Sequence, residues 1–140
     1  MRRALCSINR LGCRLGLLAF GFVGLGVDAR AAETSRFNGA WHVQMTKQSG
    51  LCDRDHRYAI LIREGDIRYL PEPGSSPMNF TGQVDGRGSV QINASRGPAQ
   101  VGAVGQLQGN SGSGTWRLPL LGCSGVWTAQ RTSRVQTSSN

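Results

Sequence analysis

Glycine and proline recur so often after Phe37 that most windows of ten residues contain one of them. Because both residues destabilise the interior of a helix, no long helix is expected in this part of the chain. Apolar residues instead alternate with polar ones, as where Trp41, Val43 and Met45 share one side of a short segment. A period of two places apolar residues on one face of a β-strand. The chain is therefore predicted to be all-β.

Turn signals divide this part of the chain into seven or eight short segments. Residues 64–66, 85–88, 95–98 and 109–112 are rich in Gly, Pro, Asp, Asn and Ser, which favour tight turns. Residues 71–77 are predicted to be a loop, because their prolines lack the N–H groups that a strand needs. Short strands joined by tight turns predict a sequential antiparallel meander. A closed or nearly closed barrel is preferred, since closure removes both exposed edges; a β-sandwich is the alternative.

The N-terminal region has the organisation of a secretory signal. Residues 1–14 contain four arginines and no acid, and residues 15–27 form an apolar run. This run is shorter than the roughly 20 residues that cross a bilayer, so no transmembrane segment is predicted. Ala29 and Ala31 match the A-x-A site of signal peptidase. Residues 1–31 are therefore predicted to be a cleaved signal peptide, which places the mature protein in the periplasm or outside the cell.

The mature chain is predicted to contain one domain. Residues 32–131 form this β domain, and residues 132–140 are expected to be a disordered polar tail. From residue 32 onward the chain carries eleven lysines and arginines and seven acidic residues, a net charge of +4. The cations are spread without a dense run, which is typical of a solvated surface. We therefore predict no nucleic-acid partner and expect a monomer.

Only Cys52 and Cys123 remain once the predicted signal is removed. In an oxidising compartment an isolated pair of cysteines favours a disulfide, and no C-x-x-C motif supports a redox or metal-binding thiol. The predicted disulfide closes a loop of about 70 residues, which stabilises the fold by about 4 kcal/mol in the chain-entropy description.

The densest polar cluster is the segment 52–57, which reads Cys-Asp-Arg-Asp-His-Arg. Carboxylates and imidazoles bind metals and transfer protons, but here Cys52 is assigned to the disulfide and the acids have arginine neighbours. The segment is therefore interpreted as a solvated turn. The other histidine, His42, lies on the strand face opposite Trp41 and is expected to be exposed. No metal site and no cofactor are predicted.

No combination of residues indicates an active site. The chain has many serines, but it lacks a G-x-S-x-G nucleophile elbow and an independently supported set of serine, histidine and acid. No catalytic residue is assigned, and the protein is not predicted to be an enzyme. A small hydrolytic enzyme is the least favoured alternative.

Several short motifs together resemble known proteins. The chain contains NGAW at 38–41, a cysteine at Cys52, SGTW at 113–116 and CSGVW at 123–127. This combination resembles small exported β-domain proteins of alphaproteobacteria that have no assigned function. The resemblance covers most of the predicted mature chain and implies no catalytic residues.

A more remote resemblance is to the calycins, which include the lipocalins. It rests on Gly39-x-Trp41 in the first predicted strand and Arg131 at the end of the last one. The resemblance implies that Trp41 packs under the Arg131 side chain at the seam of a barrel, and that the barrel mouth takes small apolar ligands. In scale the chain is also similar to periplasmic inhibitors of secreted metalloproteases.

These observations favour an exported β-barrel binding or interaction module whose unknown partner is a small ligand or a protein. A small ligand is expected in the barrel mouth, and loops such as 70–77 are expected to contact a protein partner. A periplasmic protein similar to protease inhibitors is the alternative.

Overall fold

The computed structural model describes residues 33–53 and 55–133. Within them, eight antiparallel strands follow one another in chain order and form a closed barrel. The strands are β1 (Gly39–Ser49), β2 (Asp55–Arg63), β3 (Asp66–Leu70), β4 (Asn79–Val84), β5 (Ser89–Arg96), β6 (Ala99–Gln108), β7 (Ser111–Leu118) and β8 (Cys123–Ser133), with a short 3-10 helix at Pro119–Leu121. The predicted all-β meander is confirmed, and it closes as a barrel rather than packing as a sandwich.

Pairing of the first and last strands closes the sheet. β1 and β8 lie side by side from Trp41 opposite Arg131 to Ser49 opposite Ser124. A closed sheet leaves neither terminal strand with a free edge that could pair with another chain. The apolar residues that alternate along each strand therefore point into one shared interior.

The two ends of the barrel differ in how they are covered. A helical turn lies at one end, where the Phe37 N–H donates to the Thr34 carbonyl at 3.1 Å. We call this the closed end. The loops 50–53, 71–78 and 119–122 lie at the opposite end, which we call the open end.

The pairing of β3 with β4 is the shortest in the barrel wall. It joins only Asp66 to Gln83 and Ile67 to Gly82. Past these pairs, residues 71–77 form an exposed loop, as their proline content predicts. Backbone pairing between the two strands therefore ends well before the loop, which makes this the weakest seam of the barrel wall.

Glycines allow two indole rings to fit inside the barrel. Trp127 lies opposite Gly114 on the neighbouring strand, and Trp116 lies opposite Gly125. A Cβ atom at Gly114 would lie 2.6 Å from Trp127 Nε1, and one at Gly125 would lie 2.8 Å from Trp116 Nε1. Each of these two indoles is therefore accommodated by a glycine on the adjacent strand.

The turn between β4 and β5 is stabilised by a carboxylate. Asp85 Oδ1 accepts hydrogen bonds from the backbone N–H groups of Arg87 and Ser89, both at 2.9 Å. The hydrogen bond from Ser89 is the main reason that the pKa of Asp85 is lowered. Gly88 has a φ of +89°, which favours glycine. The sequence Asp-Gly-Arg-Gly is thus a tight turn, as predicted.

The limits of the domain differ slightly from the prediction. β8 continues to Ser133, so the first two residues assigned to the polar tail belong to the barrel. The predicted signal at 1–31 and the rest of the tail at 134–140 lie outside the described residues. Among the residues that are described, no helix is long and apolar enough to cross a bilayer.

Candidate functional site

Trp41 is the central buried residue of the closed end. Its side chain is fully buried, and its indole N–H donates to the Phe37 carbonyl at 3.0 Å. Phe37 is itself buried beneath the helical turn. The interior at this end of the barrel is therefore filled by aromatic side chains.

Arg131 covers the Trp41 indole at the seam between β1 and β8. Its Cζ atom lies 4.9 Å from the centroid of the indole ring, within the range of a cation–π contact. The guanidinium also donates to the carbonyls of Arg36 and Gly109 at 2.8 Å and of Asn38 at 3.2 Å. One side chain thus joins the N-terminal turn, the β6–β7 turn and the first strand. Its role in this structure is to hold the closed end together.

An apolar cavity lies inside the barrel, between the aromatic side chains of the closed end and the open end. Its volume is about 100 Å³. Its inner part is lined by buried side chains, among them Ile60, Ile62, Ile67, Val90 and Leu107. It is smaller than the roughly 300–1,000 Å³ of sites for drug-sized ligands. It is closer in size to an engineered cavity of about 150 Å³ that binds benzene or xenon.

Half-buried aromatic residues mark where the cavity reaches the surface. Tyr58, Tyr69 and Phe80 all line it, and they lie on β2, β3 and β4 beside the short pairing of β3 with β4. The Tyr58 and Tyr69 rings meet edge to face with centroids 5.9 Å apart, and the Tyr69 and Phe80 centroids are 6.1 Å apart. We call these three residues the aromatic rim. They form a continuous apolar edge at the open end.

The aromatic rim also supplies the polar groups of the cavity. Burial is the main reason that the pKa of Tyr58 is raised, the nearby Tyr69 raises it further, and Arg96 opposes the shift. The Tyr58 hydroxyl therefore stays protonated at neutral pH and is available as a hydrogen-bond donor. Hydrocarbon, thioether and indole groups make up nearly all the rest of the lining. This arrangement is suited to holding an apolar molecule with one polar end at the rim.

A disulfide joins Cys52 to Cys123 at the open end, as predicted. The two Cα atoms are 6.3 Å apart, and the bond links the β1–β2 loop to the start of β8. Gly50, whose φ is +98°, packs directly against Cys123, where a Cβ atom would lie 2.6 Å from its sulfur.

The polar segment that follows Cys52 lies on the surface. Asp53, Asp55 and His56 are exposed, as is His42 on β1. Among the described residues, no three His, Cys, Asp or Glu side chains come together as a possible metal site.

The sequence does not set the aromatic rim apart from the core. Trp41, Trp116 and Trp127 are buried, as inward aromatic residues usually are. Tyr58 and Tyr69 differ because each lies near the open-end limit of its strand, beside a loop. An inward tyrosine beside a proline-rich loop is the signal that would have indicated a cavity mouth.

Comparison with known proteins adds no family assignment. No protein-family model matches the chain, and no curated protein matches it either.

Proposed function

We propose that this protein is an exported β-barrel module that binds a small apolar ligand in its interior. The observation that carries the proposal is the apolar cavity of about 100 Å³ bordered by the aromatic rim. A filled barrel would pack its interior at the density of an organic crystal, with few voids larger than a water molecule. An apolar void costs stability, and a ligand that fills it recovers the lost contacts.

The size and chemistry of the cavity define the class of ligand. The volume suits a single aromatic ring or a short alkyl group. Tyr58 and Tyr69 line the cavity, and their hydroxyls are the donors available to an oxygen atom at the end of such a group. A short-chain alcohol or a small phenol has both features. The resemblance to calycins, whose barrel mouths take small apolar ligands, supports the same proposal.

Export is the second part of the proposal. The Cys52–Cys123 disulfide supports it, because disulfides persist in oxidising compartments outside the cytosol. The resemblance to exported alphaproteobacterial proteins supports it as well. The protease-inhibitor alternative stays a prediction; the exposed loop 71–77 is the surface that it would use.

The export proposal predicts a defined N-terminus. Protein recovered from the periplasm or medium of the original host should begin at Ala32, within a residue or two of the Ala29-x-Ala31 site. N-terminal sequencing or intact mass measurement checks this. A full-length product that retains residue 1 and stays in the cytosol would contradict it.

The binding proposal predicts that filling the cavity abolishes ligand binding. After residue 31 the only isoleucines are Ile60, Ile62, Ile67 and Ile92, and all four line the cavity. Methyl NMR of isoleucine-labelled protein therefore reports on the cavity alone. Titration with 1-hexanol should shift these methyl signals in a saturable way. In the Ala103→Leu variant, which places a branched side chain in the cavity, binding should weaken at least about tenfold, a loss of about 1.4 kcal/mol.

A matched control is available one residue away. Val104 lies next to Ala103 on β6 but is 55% exposed on the outer face of the barrel. Val104→Leu adds hydrocarbon without touching the cavity and should bind 1-hexanol as the unmodified protein does. The proposal is wrong if the unmodified protein shows no saturable shift with 1-hexanol or benzene, or if Ala103→Leu is folded and binds equally well. Native mass spectrometry of protein from the original host is an independent check, because a retained ligand would add its mass to that of the protein.

A further inference from the structure

Three leucines form an exposed apolar cluster at the open end. Leu51 is 94% exposed, Leu120 is 60% exposed and Leu121 is 45% exposed. The backbone N–H of Leu51 donates to the Leu121 carbonyl at 3.5 Å, which brings the β1–β2 loop and the 3-10 helix together. We call these three residues the leucine tip. A single exposed leucine is common on a protein surface and needs no explanation. A group of exposed apolar side chains, by contrast, marks a surface that contacts another molecule.

The leucine tip is held in place by several bonds. Lys47 Nζ donates to the carbonyls of Gly50 at 3.1 Å and Cys52 at 2.8 Å, which fixes the loop that carries Leu51. The disulfide to Cys123 ties the same loop to the strand that follows the 3-10 helix. The backbone that carries Leu51 is therefore cross-linked to the start of β8, next to the 3-10 helix that carries Leu120 and Leu121.

The leucine tip lies at the same end of the barrel as the cavity mouth. Pro119, the first residue of the 3-10 helix, lines a surface groove together with Phe80 of the aromatic rim. Val101 borders both this groove and the cavity. A flat surface that contacts the leucine tip is therefore also brought toward the opening of the cavity.

We propose that the leucine tip docks the barrel on a lipid bilayer, so that the apolar ligand enters the cavity from the bilayer. The entry of a ligand from the bilayer rests on the proposed function, whereas the docking on the bilayer does not. A protein partner fits less well, because three leucine side chains present far less than the roughly 800 Å² per partner of a standard interface. Shallow insertion into the headgroup region needs only a small apolar tip.

Charge has a smaller part in the docking. Among the described residues, the open end carries four cations, Lys47, Arg57, Arg96 and Arg117, and three acids, Asp53, Asp55 and Glu72. The sequence adds one more arginine, Arg54, between Asp53 and Asp55, so the excess of positive charge is small. Binding should therefore occur on zwitterionic vesicles and strengthen only modestly on anionic ones.

Co-sedimentation with large unilamellar vesicles tests the docking. Vesicles of phosphatidylcholine, with and without phosphatidylglycerol, should both bind the unmodified protein. The double variant Leu51→Ser/Leu120→Ser should bind at least about tenfold more weakly. Its thermal unfolding midpoint should be unchanged, because both side chains are exposed. Val104→Ser is the matched control, since it removes an exposed apolar side chain from the barrel wall and should bind vesicles normally.

Two further measurements separate this proposal from the binding of 1-hexanol. Ala103→Leu should still bind vesicles, and Leu51→Ser/Leu120→Ser should still bind 1-hexanol in buffer. The docking proposal is overturned if the unmodified protein fails to bind either kind of vesicle, or if the leucine variant binds as well as the control. It is also overturned if sedimentation equilibrium shows a dimer that the leucine substitutions dissociate.

Discussion

Replacing Trp41 with alanine is expected to lower the free energy of unfolding by about 3–5 kcal/mol, as for other truncations of large buried aromatic residues. The indole is fully buried and its N–H is bonded to the Phe37 carbonyl, so the variant loses packing and leaves an acceptor without its partner. A net stability of roughly 5–15 kcal/mol is usual for a domain, so the closed end would be seriously weakened. Urea unfolding followed by circular dichroism measures the change.

Substitutions of Arg131 and Trp41 together separate the energy of the cation–π contact from that of packing. Arg131→Ala, Trp41→Leu and the double variant form a thermodynamic cycle with the unmodified protein, because leucine has no aromatic face for the guanidinium. The coupling energy between the two positions should be about 0.5–2 kcal/mol. Val104→Ala, at an exposed position, should have little effect. An unfolding midpoint that is the same for Trp41→Ala and the unmodified protein would mean that the indole is exposed and that the closed end is wrongly described.

Removing the disulfide is expected to have an effect of similar size. The bond joins residues separated by 71 positions. Closing a loop of that length lowers the entropy of the unfolded chain, which raises the free energy of the unfolded state by about 4 kcal/mol at room temperature. The variant Cys52→Ala/Cys123→Ala should therefore unfold at a much lower urea concentration. Because the effect acts mainly on the unfolded state, the methyl signals of the cavity isoleucines should move little at temperatures where the variant is folded.

The reduced form of the unmodified protein is the control for this prediction. Treatment with dithiothreitol should lower the free energy of unfolding by the same amount as the double substitution, and it should have no effect on the double variant. Two free thiols found by alkylation of untreated protein under denaturing conditions would contradict the assignment of the disulfide.

Much of the fold follows from features that are local in sequence. Alternation of apolar and polar residues is a property of each strand alone, and turns such as the Asp-Gly-Arg-Gly segment at 85–88 depend on the preferences of a few adjacent residues. The strand order follows because short turns allow each strand to pair only with the next one. The pairing of Cys52 with Cys123 follows because no other cysteine remains after residue 31.

The candidate site depends on interactions that are not local. Whether a barrel is filled or hollow is decided by the sum of the side-chain volumes that eight strands contribute to one interior, and a small imbalance leaves a cavity. Trp127 and Tyr58 both line the cavity, but Trp127 is buried and Tyr58 is half-buried. The difference depends on the side chains that neighbouring strands place around each ring, which the local sequence does not show.

The sequence by itself thus determined the strands, their order and the cross-link of this protein, since each follows from nearby residues or from the number of cysteines. Only the tertiary structure decided the cavity, the three carbonyls that Arg131 joins and the exposure of Leu51 beside Leu121. The physical reason is that these features arise where segments far apart in the chain meet, and closing the barrel determines which segments meet.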